Sequence, residues 1–252
     1  MTAEVFAGLT AIVTGASRGI GLAIATDIVA HGGRVCLTAR KQDELDAALA
    51  ELPGDAAIAV AGNTSDATHR EDAVRRTIDA FGSLDILVNN AATNVQYGAL
   101  VDADLAAVEK ILAVNYVAPI GWVQAVWHAW MAEHGGTILN VASVGGLQPA
   151  PLIGAYGGSK AALIHLTAQL AVELAPRVRV NAVAPAVVKT TFARALYEDR
   201  EAEVAAGYPL GRLGVPQDVA HAARAFLAPG AGWITGQTLV LDGGASLGPG
   251  SR

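Results

Sequence analysis

An apolar run at residues 9–13 leads directly into Thr14-Gly15-Ala16-Ser17-Arg18-Gly19-Ile20-Gly21, and an apolar helical pattern continues from 22 to 30. The order is buried strand, glycine turn, helix. Glycines let the backbone turn tightly and approach a pyrophosphate closely, while the N–H groups and dipole of the new helix favour negative charge. The spacing of Gly15, Gly19 and Gly21 departs from the usual G-x-G-x-x-G, so the flanking strand and helix carry the assignment. The plainer reading, glycines that only permit a tight turn, is the less favoured one.

The same alternation continues along the chain. Strands are predicted at 34–38, 56–61, 84–88, 137–142, 178–184 and 238–241, and helices at 66–81, 105–131, 156–174 and 216–227. Pro119 should bend or interrupt the longest helix. Such units predict an α/β fold, a single-domain Rossmann-type doubly wound parallel sheet with helices on both faces. The 252 residues, 52% of them hydrophobic, suit one domain spanning 1–252. Its least regular segment, 185–209, reads as a lid.

Composition narrows the partners. A net charge of -6 without any basic run argues against nucleic acid or an anionic membrane. The start lacks a cationic leader, and Asn115, Gln124 and His128 break the apolar stretches, so neither a signal peptide nor a membrane span is expected and a cytoplasmic location is. The lone Cys36 reads as a small buried hydrophobe, and the six histidines show no ligand spacing, so no metal is expected.

Two further places carry chemistry. After the strand at 34–38, where dinucleotide folds place an acid for the adenosine ribose, stand Ala39, Arg40 and Lys41. With no carboxylate there and a guanidinium suited to phosphate, the cofactor reads as NADP, with NAD less favoured and Arg18 as a second cation. The alternative is a solvated charge pair at a helix start. Farther on, Ser143 follows the strand at 137–142, and Tyr156 and Lys160 are four apart, on one helix face. A phenol ordinarily titrates near pH ~10, and an adjacent ammonium should pull it down.

Taken together, these residues resemble a classical short-chain dehydrogenase/reductase over nearly the whole chain. The glycine stretch matches the family's cofactor motif, Asn89-Asn90-Ala91 its central-strand motif, and Asn115, Ser143, Tyr156 and Lys160 its catalytic four. The ending, Gly211-Arg212-Leu213-Gly214 and Trp233-Ile234-Thr235-Gly236-Gln237 through Asp242-Gly243-Gly244, is similar to the 3-oxoacyl-acyl-carrier-protein reductase-like subgroup. The resemblance implies an oxidoreductase interconverting a ketone and a secondary alcohol. Tyr156 would protonate the carbonyl oxygen, Ser143 hydrogen-bond it, Lys160 hold the nicotinamide ribose, and Asn115 hold a relay water. Gly15, Ser17, Arg18, Gly19, Ile20 and Gly21 would cradle the phosphates. Asn63 and Thr64 would lie near the adenine, Asn90 and Ala91 under its ribose, and Val188 and Thr190 at the carboxamide after Pro185. Asn63 stands in place of the usual Asp, and Ala92 and Ala186 in place of glycines. Substrate walls are expected at 94–97, 145–153 and 192–197, mostly apolar, for a hydrophobic ketone or a 3-oxoacyl thioester. Lys189 and Arg194 would face a phosphate at the rim. A homotetramer is expected, with Trp122, Trp127 and Trp130 as core or interface anchors. Alternatives are an NAD-linked alcohol dehydrogenase of the same family, a non-catalytic cofactor sensor, and nucleotide-sugar epimerase chemistry.

Overall fold

In the computed structural model, which describes residues 4–248, the apolar runs become β1 (Thr10–Thr14), β2 (Arg34–Ala39), β3 (Ala57–Ala61), β4 (Ile86–Asn89), β5 (Gly136–Val141), β6 (Val178–Pro185) and β7 (Thr238–Leu241). They form one sheet in the order β3-β2-β1-β4-β5-β6-β7, with every neighbouring pair parallel. Parallel strands need crossovers, and crossover helices cover both faces, which is why the runs are apolar without interruption. Side chains still alternate between two cores. Ala11 and Val13 join Val35, Leu37, Ile86 and Val88 in one, whereas Ile12, Cys36 and Leu87 point into the other.

The helices are α1 (Gly19–Ala30), α2 (Gln42–Leu49), α3 (Ala67–Phe81), α4 (Leu105–Leu112), α5 (Ala118–Val126), α6 (Ala132–His134), α7 (Gly154–Glu173), α8 (Glu201–Ala206) and α9 (Pro216–Leu227). α1, α2 and α9 cover the first core, and α3, α5 and α7 the second. Strand order reverses between β1 and β4, and a doubly wound sheet opens its crevice at the carboxyl ends of those strands. Capping follows local chemistry. The Asp66 carboxylate accepts the Thr68 N–H to start α3, and Gly82, at φ 78°, ends it in the left-handed region.

α4, α5 and α6 are one helical run joined by two π-helical turns, Ala113–Val117 and Trp127–Met131. Pro119 therefore does not break the helix. It lacks the N–H that would serve the Asn115 carbonyl four residues back, and a widened turn precedes it. By length and composition alone the run 105–134 could cross a membrane, yet its Trp122, Val123, Val126 and Met131 belong to the second core.

The three tryptophans of this run pack against the second core. Trp122 is buried, donates Nε1–H to Thr64 Oγ1 at 2.8 Å and meets His69 edge-on. Trp127 and Trp130 pack against the same core, and Trp130 stacks on His134. Trp122 is thus a core side chain, while Trp127 and Trp130 are half-buried against that core. Cys36 is buried, and desolvation pushes its thiol up to about 12. The segment 185–209 is not bare loop: Val188 bridges to Gly214, and a 3-10 turn at Arg194–Leu196 precedes α8.

Candidate active site

The glycine turn is held by a hydroxyl. Thr14 Oγ1 accepts the N–H groups of Asn90 and Ala91 at 2.9 and 3.0 Å and donates to the Val88 carbonyl at 3.1 Å. In return Asn90 Nδ2 donates to the carbonyls of Thr14 and Gly15. β1 and β4 are thereby clamped where their ends meet, and the packing leaves no room for side chains. A Cβ on Gly15 would lie 2.9 Å from Ala91 Cα, and one on Gly21 would lie 2.6 Å from the Gly15 carbonyl oxygen. Gly15 and Gly19 adopt φ of 64° and 61°, which glycine alone takes without strain.

This cradle fits a dinucleotide's pyrophosphate. α1 begins with no side-chain cap and no acidic residue in its first turn, so its free N–H groups and dipole favour an anion. An open cavity of ≈ 580 Å³ lies between Gly19 and the lid residues Lys189, Thr190 and Tyr197. Ile20 packs its side chain against the first core. Thr190 borders Gly19, with its hydroxyl between the Val188 carbonyl and the Ala193 N–H. Pro185 closes β6 opposite Leu241.

At the adenosine end, several of the side chains expected near the cofactor already have partners within the chain. Arg40 is exposed at the end of β2, but Arg18 is not free, because its Nη1 pairs with Glu44 at 2.6 Å. Asn63 Oδ1 accepts the Ser65 N–H, closing its own turn. Thr64 spends its hydroxyl on Trp122 and its carbonyl on Arg70. The Asn90 amide likewise belongs to the clamp, leaving only backbone beside a ribose.

At the reacting end, a buried ladder ties strand to helix. Asn89 Nδ2 donates to Asn140 Oδ1, Asn140 Nδ2 to Thr167 Oγ1, and Thr167 to the Leu163 carbonyl, running from β4 through β5 to α7. Asn115 is fully buried, with Oδ1 accepting the Thr93 N–H and Nδ2 donating to the Thr93 carbonyl and Ser159 Oγ. Both Nδ2 protons are therefore used, and Pro119 leaves the Asn115 main-chain carbonyl without its α-helical donor. Ser159 also donates to the Tyr156 carbonyl at 2.7 Å. Ser143 accepts the Gly145 N–H. Next to the expected wall segments, Gly98 N–H donates to the Leu152 carbonyl, and Phe192 of the lid lies 6.0 Å from the Tyr156 ring.

The expected pull of Lys160 on the phenol is not what this state shows. Lys160 is 2% exposed, and its Nζ donates to the Val141 carbonyl at 2.7 Å, 5.6 Å from the Tyr156 ring centre. Burial pulls its ammonium down to about 7. Although the Tyr156 side chain keeps some exposure, desolvation of the phenol dominates and pushes it up to about 12, with the Ser143 hydroxyl opposing by less. Spacing revealed the pair, but burial decides the sign.

Thr14, Asn140 and Ser159 were given no role by sequence. Their only signal was a polar residue within or just after an apolar run, or beside the Tyr-x-x-x-Lys.

Comparison with known proteins agrees with this geometry. A family model described as Enoyl-(Acyl carrier protein) reductase matches residues 15–246. Dehydrogenase/reductase SDR family member 4 from Sus scrofa is 39% identical over 94% of this chain and 86% of its own length. Tropinone reductase-like 3 from Erythroxylum coca is 36% identical over 95% and 93%. Among solved structures, a short-chain dehydrogenase/reductase (SDR:Glucose/ribitol dehydrogenase) from Brucella melitensis superposes with a TM-score of 0.91 at 30% identity, covering 97% of this chain and 99% of that one.

The buried lysine gives a pH test. Between its folded value of about 7 and its ordinary 10.5, the unfolded chain carries a proton that the folded chain lacks, so this residue makes stability rise with pH across that window. Lys160→Met removes the dependence. Its urea-unfolding stability relative to wild type should be highest below pH 7 and fall by about 4 kcal/mol towards pH ~10. A difference that does not change with pH would show an undisturbed ammonium.

Proposed function

Because the chain belongs to the classical short-chain dehydrogenase/reductase family, it is an NAD(P)-dependent oxidoreductase for ketones and secondary alcohols, and we propose that it uses NADP on a hydrophobic substrate. The observation that carries the chemistry is the gathering of Ser143, Tyr156, Lys160 and Asn115 at the carboxyl edge of the sheet, beside the clamped glycine turn. Support for NADP is the exposed Arg40 just after β2, with no carboxylate among residues 39–41, where an acid for the ribose would stand.

When bound, the nicotinamide cofactor supplies the hydride. The glycine turn and the N-terminus of α1 would hold its pyrophosphate, Arg40 its 2′-phosphate, Val188 and Thr190 its carboxamide, and Lys160 its ribose. Tyr156 gives its phenol proton to the carbonyl oxygen in reduction and takes one back in oxidation, while the Ser143 hydroxyl donates to the same oxygen. A phenol at about 12 keeps that proton at neutral pH. Oxidation needs the phenolate, and a charged Lys160 stabilises it. The Asn115 carbonyl would hold the water that carries protons onward.

Substrate size and polarity follow from the walls. Val95, Leu147, Leu152 and Phe192 are exposed apolar groups in the three wall segments. In the lid, Lys189 is paired with Glu201 and Arg194 with Glu198, so the cations expected to meet a carrier phosphate are already neutralised. That favours a free hydrophobic ketone over a 3-oxoacyl thioester. Exposed apolar side chains support a homotetramer. Leu105 and Val172 are exposed on the long helices, and Leu239 and the fully exposed Trp233 at and before the edge strand β7.

Purified protein should consume NADPH with hydrophobic ketones, and Tyr156→Phe should lose turnover by roughly a thousandfold while still binding cofactor. Full activity in that variant would remove Tyr156 from the mechanism, and turnover of polar sugars alone would overturn the substrate assignment. Arg40→Ala should weaken NADPH binding by about 1 to 3 kcal/mol and spare NADH; equal losses would refute the phosphate contact. Light scattering at micromolar concentration should give four times the chain mass, and a monomer would end the tetramer proposal.

A further inference from the structure

The carboxylate of Glu44, on the first turn of α2, sits at the focus of three donors. Ser17 Oγ donates to its Oε2 at 3.2 Å, Arg18 Nη1 to the same oxygen at 2.6 Å, and Lys41 Nζ lies 3.1 Å from Oε1. Two of these donors come from the glycine turn and the third from Lys41, which opens α2 just after β2. The two segments are drawn together by the Ala16 N–H, which donates to the Thr38 carbonyl at 3.0 Å. A hydroxyl, a guanidinium and an ammonium converging on one point form an anion site, and Arg40 adjoins it in sequence.

We propose that Glu44 is an internal occupant of the 2′-phosphate subsite, a carboxylate that the phosphate must displace and that NAD, lacking this phosphate, leaves in place. The proposal rests on the reading of that corner as facing the adenosine ribose. It makes Glu44 a specificity-determining residue acting by competition. With the carboxylate seated, Arg18 and Lys41 are already compensated. A 2′-phosphate gains their pairing only by breaking Glu44's and by bringing a second anion beside it. Cofactor without the phosphate breaks nothing. Glu44 therefore narrows the preference for NADP that Arg40 creates. Lys41 and Arg18 hold the Glu44 carboxyl down to about 2, so the occupant is charged at every working pH.

Glu44→Gln keeps the side chain's size and removes its charge. Dissociation constants for NADP⁺ and NAD⁺ are measured by isothermal titration calorimetry on the full-length wild type and variant. The expected result is an NADP⁺ constant lower by roughly tenfold, the scale of one charge-assisted hydrogen bond, with the NAD⁺ constant moving much less. An unchanged or weakened NADP⁺ affinity overturns the proposal, because it would mean that Glu44 positions Arg18 and Lys41 rather than competing for them. Equal tightening of both cofactors overturns it too. The choice of NADP itself fails separately, in the wild-type preference and in Arg40→Ala. Tightening of NADP⁺ in Glu44→Gln supports the competition whichever cofactor the wild type prefers.

Discussion

The hydroxyl of Thr14 is the contact on which the site depends. β1 and β4 are neighbours where the sheet changes direction, and their ends would diverge into two loops without a cross-tie. One side chain satisfies two main-chain N–H groups and one carbonyl there, and each such group left unpaired in a buried place costs about 1 to 3 kcal/mol. The Asn90 amide adds the reverse tie, and the close approach that results admits only glycine at Gly15 and Gly21. From the next residue, Asn89, the buried amide ladder carries the same alignment through β5 into α7. The phosphate cradle and the phenol are thus placed by one continuous set of hydrogen bonds.

At the reacting end the interior favours neutral groups. Desolvation acts oppositely on the numbers of Tyr156 and Lys160, raising one and lowering the other, yet both shifts disfavour charge. Near the site, ion pairs lie at the rim, in the Arg18, Lys41 and Glu44 cluster and in the lid. Burial of this kind lets charge that develops at the reacting centre interact more strongly with fixed dipoles.

The fold was legible because strands covered on both faces must read as apolar runs, and because a glycine turn between strand and helix has few other uses. Boundaries were set by contacts the runs do not encode. β4 begins at Ile86 rather than at residue 84, and Asp85 just before it binds its neighbours by main chain and side chain together, its carboxylate accepting the Thr10 N–H and the Ser83 hydroxyl. The reactive residue types were legible too, since local spacing displays them. Their partners were not. Thr14 and Asn90 are 76 positions apart, and Arg18 and Glu44 are 26 apart. No periodicity shows that a guanidinium meant for a ligand has found a carboxylate, or that the Asn115 amide is spent on Thr93.

The π-helical turn at Ala113–Val117 has a consequence for the long helix as a whole. Each residue of an α-helix advances its side chains by roughly 100°, so a turn holding one extra residue resets the phase of everything after it. Upstream, α4 faces α7; downstream, α5 faces α3. At unbroken pitch, α5 would turn toward α3 a face roughly 100° away from the one it presents. The extra residue works as a joint that cannot bend but has been turned once, and taking it out would leave a straighter helix that fits the molecule at one end only.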